Sequence, residues 1–505
     1  MNEWKRASAG LCLLLALALT AFGPVVAQDL ASFEKNLTEH RLENGLTFLI
    51  YERPGAPVVS FYTYVDAGSA QEVAGITGLA HMFEHMAFKG TSKVGTKDFE
   101  AEKAAMAEVD KAYHAYDLER RKTGGPDDDK LAELQKALED AQKSAAEHLS
   151  RDEFSEIIDR AGGVGMNAST ASDRTDYFYS MPANKLELWA YLESERFLDP
   201  ILREFYTERD VVMEERRLRT DSQPVGRLIE QMLAAAFVAH PYGYPTVGYM
   251  SDLQSFSRED AHDFYAKYYV PSNMIVSIVG AIEAEKIIPT LEKYFGRLPK
   301  GKTPAPLRTV EPPQIAERIL LIPDVAQPLY AEGYLRPAID HPDNAVYDAI
   351  ADVLSTGRTS RLYRSLVRDQ KIAAQTGAFN GFPGNKYQNL MLAFAFPTPG
   401  NSADDVRVAI HAEIERMKTE PITDEELEMV KTRAKAGLVR SLKSNTGIGQ
   451  QLAANQALFG DWRELFRGVE KIEQVTKEDI LRVANEVFKP TNRTAASIIN
   501  EETGS

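Results

Sequence analysis

The residues of this chain best suited to chemistry are His81 and His85, with Glu84 between them, in the stretch His-Met-Phe-Glu-His. In a helix, positions i and i+4 lie on one face a turn apart, so both imidazoles would point the same way. Two imidazoles at this spacing can bind one Zn²⁺, and Glu84 would lie beside the metal to remove a proton from a water molecule. Two helical histidines near an unrelated glutamate would give the same pattern, so both interpretations stay open at this point.

A catalytic zinc site needs a third protein ligand, and the candidate lies in an acidic stretch that begins at Glu208 and ends at Glu215. Positions i and i+7 of a helix fall on almost the same face, so these two carboxylates would point together. Glu214 would point about 100° away. An exposed charged helix is the commoner meaning of such a run, and spacing alone favours that interpretation.

The surroundings of the histidine pair resemble the active-site helix of the pitrilysin family of metallopeptidases, which includes insulysin and the mitochondrial processing peptidases. The resemblance rests on the stretch Gly75-Ile-Thr-Gly-Leu-Ala-His-Met-Phe-Glu-His-Met-Ala-Phe-Lys-Gly-Thr91. It implies that His81, His85 and Glu215 bind Zn²⁺, that Glu208 supports them, and that Glu84 is the catalytic base. It also implies an α+β fold of two similar domains, each a sheet covered by helices on one face.

A second stretch, Gly162 to Thr170, resembles the family's edge strand beside the metal. An edge strand can bind an extended peptide by adding it to the sheet, which holds the peptide backbone independently of its sequence. On this resemblance Asn167 and Ala168 are the substrate-binding residues. The alternative is a purely structural hairpin with Asn167 in its turn.

The second half departs from the family pattern. Complete enzymes of the family use an Arg and, seven residues later, a Tyr to reach the substrate and the developing oxyanion. The matching positions here are Arg368 and Gln375, so the tyrosine is absent. The chain also has only half the length of the family's clamshell, and both facts predict a second family subunit that supplies Arg and Tyr.

Composition and length set the remaining expectations. An apolar run follows Lys5 and Arg6, and it predicts a signal peptide over 1–27, a periplasmic or secreted protein, and no stable membrane anchor. The only cysteine, Cys12, lies in that run, and the net charge of −16 argues against nucleic-acid binding. We expect a zinc-binding domain over 28–300, a Pro-rich linker, and a second, non-metal domain over 314–505.

An insertion of about 101–150 is rich in Ala, Glu, Lys and Leu and is broken by Gly124-Gly125-Pro126. Apolar residues at 3–4 spacing on both sides of the break predict a helical hairpin with an antiparallel seam. Its polar composition predicts that it projects from the core, either as a spacer without a role or as an arm that docks a partner.

Together these features predict a zinc metalloendopeptidase that hydrolyses peptides or unfolded polypeptides as the catalytic subunit of a heterodimer. The rival hypothesis is a non-catalytic assembly or peptide-binding protein with the same fold. Such relatives have usually lost metal-binding residues, whereas His81, Glu84, His85 and Glu215 are all present here.

Overall fold

The computed structural model describes residues 30–500. The predicted signal peptide and Cys12 lie outside these residues. Helix α1 (Leu30–Glu34) belongs to a compact unit that ends at Asn36, and every later element belongs to a second unit that begins at Leu37.

The first half of the second unit is built on a six-stranded sheet in the order β1-β2-β6-β3-β5-β4. The strands are β1 (Leu37–Arg41), β2 (Thr47–Glu52), β3 (Val58–Val65), β4 (Val164–Thr170), β5 (Thr175–Pro182) and β6 (Met274–Gly280). Gly45, at a φ of +101°, forms the turn between β1 and β2, as the Asn44-Gly45 pair predicts. Strand β4 is the edge of this sheet.

Ten helices accompany this sheet in the sequence. They are α2 (Leu79–Met86), α3 (Phe99–Arg120), α4 (Asp128–Ala146), α5 (Glu153–Arg160), α6 (Leu186–Leu198), α7 (Phe205–Arg216), α8 (Pro224–Ala236), α9 (Met250–Ser255), α10 (Arg258–Tyr268) and α11 (Ala284–Phe295). Helix α2 carries the histidine pair, and α7 carries both glutamates of the predicted third-ligand stretch.

The second half repeats this plan with a five-stranded sheet in the order β7-β11-β8-β10-β9. Its strands are β7 (Arg318–Asp324), β8 (Leu329–Arg336), β9 (Ala373–Phe382), β10 (Asn389–Pro397) and β11 (Arg493–Asn500). Its helices are α12 (Asn344–Ser355), α13 (Ala403–Thr419), α14 (Asp424–Ser441), α15 (Asn445–Phe459), α16 (Glu464–Gln474) and α17 (Lys477–Val487). In both sheets one parallel pair adjoins three antiparallel strands, so the expected two similar domains are confirmed.

Each half also lends one helix to the sheet of the other half. Helix α15 packs on β3 and β6 of the first sheet, and α8 packs on β7, β8 and β11 of the second. Strand β3 is therefore covered on both faces, and all of its residues after Val58 are buried. This explains why β3 is rich in β-branched and aromatic residues on both faces and does not alternate between apolar and charged residues.

The insertion forms the predicted hairpin, in which α3 and α4 pack along each other. The prediction that it projects from the core is wrong, because α3 also packs on the body. Val109 and Tyr113 are 8% and 1% exposed, and the Tyr113 ring stacks on Tyr206 of α7 at 4.2 Å. Its hydroxyl donates a hydrogen bond to the carbonyl of Ser255 at 2.9 Å. Helix α3 thus packs on both α4 and the body of the protein. The polar composition of the insertion indicated only its exposed side.

Within residues 30–500, no helix is both long enough and apolar enough to cross a membrane.

Candidate metal centre

The N-terminus of helix α2 is not capped by the side chain of its N-cap residue, because that residue is a glycine. Gly78 holds the cap position at a φ of +96°, where L-residues are strained. The Glu72 carboxylate replaces the missing cap, because it accepts hydrogen bonds from the Gly78 and Ala80 amides at 2.8 and 2.7 Å. Burial raises the pKa of Glu72 to about 8. This buried carboxylate fixes the end of the helix that carries the histidines.

The structure brings His81, His85 and Glu215 together. One ligand atom from each lies within 4.8 Å of the others. The Glu215 carboxylate spans both rings, with Oε1 at 3.7 Å from His81 Nε2 and Oε2 at 3.4 Å from His85 Nε2. The i and i+4 spacing on α2 and the position of Glu215 on α7 therefore produce the cluster expected from the sequence.

Glu208 lies behind this cluster. Its Oε2 is 3.5 Å from His85 Nδ1, and its Oε1 is 2.5 Å from the Lys89 ammonium. Burial alone would raise the pKa of Glu208, but His85 and Lys89 hold it below its usual value. In turn, the contact with Glu208 raises the pKa of His85 against the effect of burial. The carboxylate thus orients His85 with Nε2 toward Glu215.

His81 lies deeper than His85. Burial lowers the pKa of His81, and the nearby Glu215 only partly offsets this effect. Its Nδ1 is buried and has no hydrogen-bond partner among the described residues. The Glu84 side chain is half-buried, and within residues 30–500 it makes no hydrogen bond or ion pair, so its carboxylate is available to a water molecule or a substrate.

Two cations at the site were not anticipated from the sequence. Arg219, one turn after Glu215, lies 2.6 Å from Glu215 Oε1, in a π-helical segment spanning Arg217–Asp221. Lys89 bridges Glu208 and Glu204, the latter at 3.0 Å. Each follows a site residue by four positions, and that spacing is the signal that could have identified them.

Strand β4 runs beside the histidine helix. The Thr170 hydroxyl donates to the Ala80 carbonyl of α2 at 3.5 Å. Asn167 is exposed and Ala168 is buried on this edge strand, whose outer edge has no neighbouring strand among the described residues. The geometry is compatible with addition of an extended peptide next to the metal ligands.

Arg368 and Gln375 lie in the second half, away from the histidine pair in sequence and in sheet order. Arg368 lies in the last turn of a π-helical segment, Tyr363–Asp369, and contacts its neighbour Asp369 at 2.6 Å. Gln375 is exposed on β9, the edge strand of the second sheet.

The second half carries a charge-reversed counterpart of the metal cluster. Helix α12 follows β8 as α2 follows β3, and its Asp348 and Asp352 repeat the i and i+4 spacing of the histidines. Helix α14 packs on α12 and carries Arg433 and Arg440 at the i and i+7 spacing of the two glutamates. Arg433 pairs with Asp352 at 2.7 Å. An ion pair therefore occupies the position at which the first half has its cluster of histidines and Glu215.

The first-half cluster fits a zinc ion by its donor set. Two imidazoles and one carboxylate are a known catalytic zinc set, which leaves one position open. The contact of Glu208 with His85 Nδ1 matches the carboxylate partner that metal-binding histidines usually have. The second-half counterpart, with two arginines, offers no such set.

Comparison with known proteins decides the family. Two family models match, "Insulinase (Peptidase family M16)" over residues 47–118 and "Peptidase M16 inactive domain" over residues 255–434. The zinc protease PqqE of Helicobacter pylori is 32% identical over 364 residues, which span 71% of this chain and 81% of that protein. The chain belongs to the M16 peptidase family. The predicted family and fold are therefore confirmed.

Other M16 relatives extend the likeness to most of the chain. The β subunit of the mitochondrial processing peptidase of Saccharomyces cerevisiae is 23% identical over 469 residues, covering 88% of this chain and 87% of that protein. The crystal structure of a protease from H. pylori has a TM-score of 0.76 at 28% identity, covering 92% of this chain and 99% of that one. The periplasmic protease PqqL of Escherichia coli shares the fold, with a TM-score of 0.67 at 19% identity, over 93% of this chain and 48% of that one.

Proposed function

We propose that this M16 protein is a zinc-dependent metalloendopeptidase in which His81, His85 and Glu215 hold the metal. The observation that carries the proposal is the convergence of these three ligand atoms within 4.8 Å. Bound zinc would act as a Lewis acid that lowers the pKa of water and polarises the scissile carbonyl.

The chain's own residues supply the remaining chemistry. The Glu84 carboxylate accepts a proton from the attacking water and then donates it to the nitrogen of the leaving amine. Glu208 keeps His85 in the tautomer that exposes Nε2. Strand β4, with Asn167 and Ala168, binds the substrate backbone as an added strand, which favours peptides and unfolded polypeptides over folded proteins.

Metal content and turnover separate the two parts of this proposal. We expect about one zinc per chain, which Glu215→Gln and His81→Ala should release. Glu84→Gln should keep the metal and lose peptidase activity, because an amide can neither accept nor pass the proton. Full activity of Glu84→Gln at matched zinc content would refute the assignment of Glu84 as the catalytic base.

We further propose that the active form is a heterodimer with a second family subunit that supplies Arg and Tyr, in the periplasm or outside the cell. The support is Gln375 at the tyrosine position, and a fold that fills only about half of PqqL. Loss of one oxyanion donor typically costs 10²–10³ in rate, about 3–4 kcal/mol.

The isolated chain should therefore cleave peptides very slowly even when loaded with zinc. Addition of a family member that lacks the histidine motif but retains Arg and Tyr should raise the rate at least about 10²-fold. Peptide cleavage is compared for the chain alone and for the mixture at equal zinc content. Equal rates would show that some other residue replaces the tyrosine.

A further inference from the structure

A cavity of about 320 Å³ lies where the helical hairpin meets the body of the protein. This volume is at the lower end of those of small-molecule sites. Its floor is apolar and buried, with Met106 and Val109 of α3, Leu149 after α4, Leu202 before α7, and Phe205 at the first position of α7. Three of these five side chains come from the insertion, so the insertion creates the cavity.

Charged groups around the floor are mostly engaged with one another. Glu102 is fully buried and pairs with Arg203 at 2.7 Å. Asp110 pairs with Arg258. These four charges form closed pairs in the cavity wall and leave little for a ligand to bind.

The mouth of the cavity carries two cations with weak partners. Lys143 is 75% exposed, and its nearest carboxylate, on Asp140, is 3.8 Å away. Arg151 is 66% exposed, and its contact with Glu204 is 3.5 Å long. Glu139 and Glu204 also line the cavity, so its charged side chains sum to zero, and a ligand carboxylate on Arg151 has to displace Glu204.

Arg151 and Glu204 also connect this cavity to the metal centre. A second cavity of about 330 Å³ shares their wall and extends to Lys89 and Glu208. Glu204 contacts Lys89 at 3.0 Å, Lys89 contacts Glu208 at 2.5 Å, and Glu208 contacts His85. A group that draws Arg151 away from Glu204 therefore acts on the carboxylate behind a metal ligand.

We propose that the hairpin cavity binds an apolar group that ends in a carboxylate, with the apolar part on the floor and the carboxylate on Arg151. A medium-chain fatty acid and the C-terminal residue of a peptide share this chemistry. The bound carboxylate leaves Glu204 to Lys89, which frees Glu208 to hold His85 more strongly. Binding of the ligand does not depend on the proposed peptidase function. The effect on zinc affinity does rest on that proposed function.

Calorimetry on the full-length chain with simple probes tests the binding. Hexanoate, octanoate and decanoate should bind with increasing affinity, about fourfold for each CH₂. Decyltrimethylammonium, which has the opposite charge, should bind at least about tenfold more weakly than decanoate. N-acetyl-phenylalanine mimics the C-terminal residue of a peptide. If it binds more tightly than decanoate, the ligand is a peptide C-terminus; if decanoate binds more tightly, the ligand is a fatty acid. Absence of saturable binding by either carboxylate, or equal binding of the cationic probe, would overturn the proposal.

Variants of the cavity complete this test. Arg151→Gln should weaken decanoate about tenfold, and Val109→Trp should abolish binding by filling the floor. Arg160→Gln, at an arginine that is 70% exposed on neighbouring α5 and outside the cavity, is the matched control and should bind normally. If Val109→Trp does not fold, Arg151→Gln still decides. An unchanged affinity in Arg151→Gln would remove the carboxylate contact from the proposal.

Zinc affinity reports the connection to the metal centre. Saturating decanoate should tighten zinc binding about fivefold in the parent chain and leave it unchanged in Arg151→Gln. By linkage, zinc should tighten decanoate by the same factor. Saturable decanoate binding without any change in zinc affinity would refute the connection and retain the binding site. Failure of the chain to bind zinc at all would instead refute the proposed metal site.

Discussion

Glu208→Gln is the most informative single change at the metal centre, because it removes a charge without removing volume. Glu208 is 17% exposed and touches His85 Nδ1 at 3.5 Å. That distance is longer than a good hydrogen bond, and glutamine can still accept from the ring N–H. Loss of such a supporting group typically costs 10–100-fold in metal affinity. Because the contact is long and glutamine keeps an acceptor, we expect Glu208→Gln to weaken zinc binding about tenfold, or about 1.4 kcal/mol. Glu208→Ala, which removes the acceptor, should lie near the upper end.

The assay is zinc titration against a competing chelator, at fixed pH, for the parent and three variants. Glu214→Gln is the matched control, since this glutamate lies on the same helix but is 57% exposed and pairs with Arg217. Glu208→Gln should also lower the pKa of His85, because the contact with Glu208 is what raises it. Zinc competes with the His85 proton, so the loss of affinity on acidification should move to lower pH in Glu208→Gln. If Glu208→Gln and Glu208→Ala both bind zinc as tightly as the parent does, Glu208 has no supporting role.

Two further predictions concern the scaffold. Deletion of residues 103–147 with a short Gly linker should lower the free energy of unfolding by several kcal/mol, since it removes the buried Val109, Tyr113 and Leu138; urea denaturation measures this, and parent-like stability would show that α3 is dispensable. Glu72 has a folded pKa of about 8 against an ordinary 4.5, so its contribution to stability is complete below 4.5 and is lost as pH rises toward about 8. In Glu72→Gln, the free energy of unfolding should no longer fall over this pH range. If urea denaturation gives the same pH profile for the parent and the variant, this role of Glu72 is wrong.

Local patterns predicted the elements well. The strands Val58–Val65 and Met274–Gly280 coincide with stretches rich in β-branched residues, which favour strands. Periodicity likewise identified the hairpin. These features depend on residues close in sequence, whose propensities and spacing carry the information.

Contacts between distant segments were not predictable in the same way. The exchange of α8 and α15 between the two sheets depends on segments that are far apart in sequence, and neither helix has a composition that specifies its partner. The docking of α3 on the body was missed because its apolar residues were interpreted as a seam with α4 alone, although a helix can bury two faces. The family resemblance supplied the predicted role of Glu215 as a metal ligand, whereas spacing alone favours a charged surface helix.

The charge-reversed counterpart shows how two halves of one fold present different chemical groups at the same position. Both halves place an i and i+4 pair on a helix that follows a central strand of the sheet, β3 or β8, and an i and i+7 pair on a helix that lies near it. In the first half the pairs are His/His and Glu/Glu, and His81, His85 and Glu215 offer ligand atoms for a cation. In the second half they are Asp/Asp and Arg/Arg, and Asp352 and Arg433 satisfy each other at 2.7 Å without an ion.

The same scaffold position therefore holds a set of metal-ligand groups in the first half and an ion pair in the second. Removal of one partner from a buried or half-buried pair leaves an uncompensated charge, whereas removal of both need not destabilise the fold. Arg433→Met alone should thus destabilise the second half more than the double variant Asp352→Leu with Arg433→Met does. A double-mutant cycle by urea denaturation measures the difference. Additive losses in the cycle would show that the two side chains do not act as a pair.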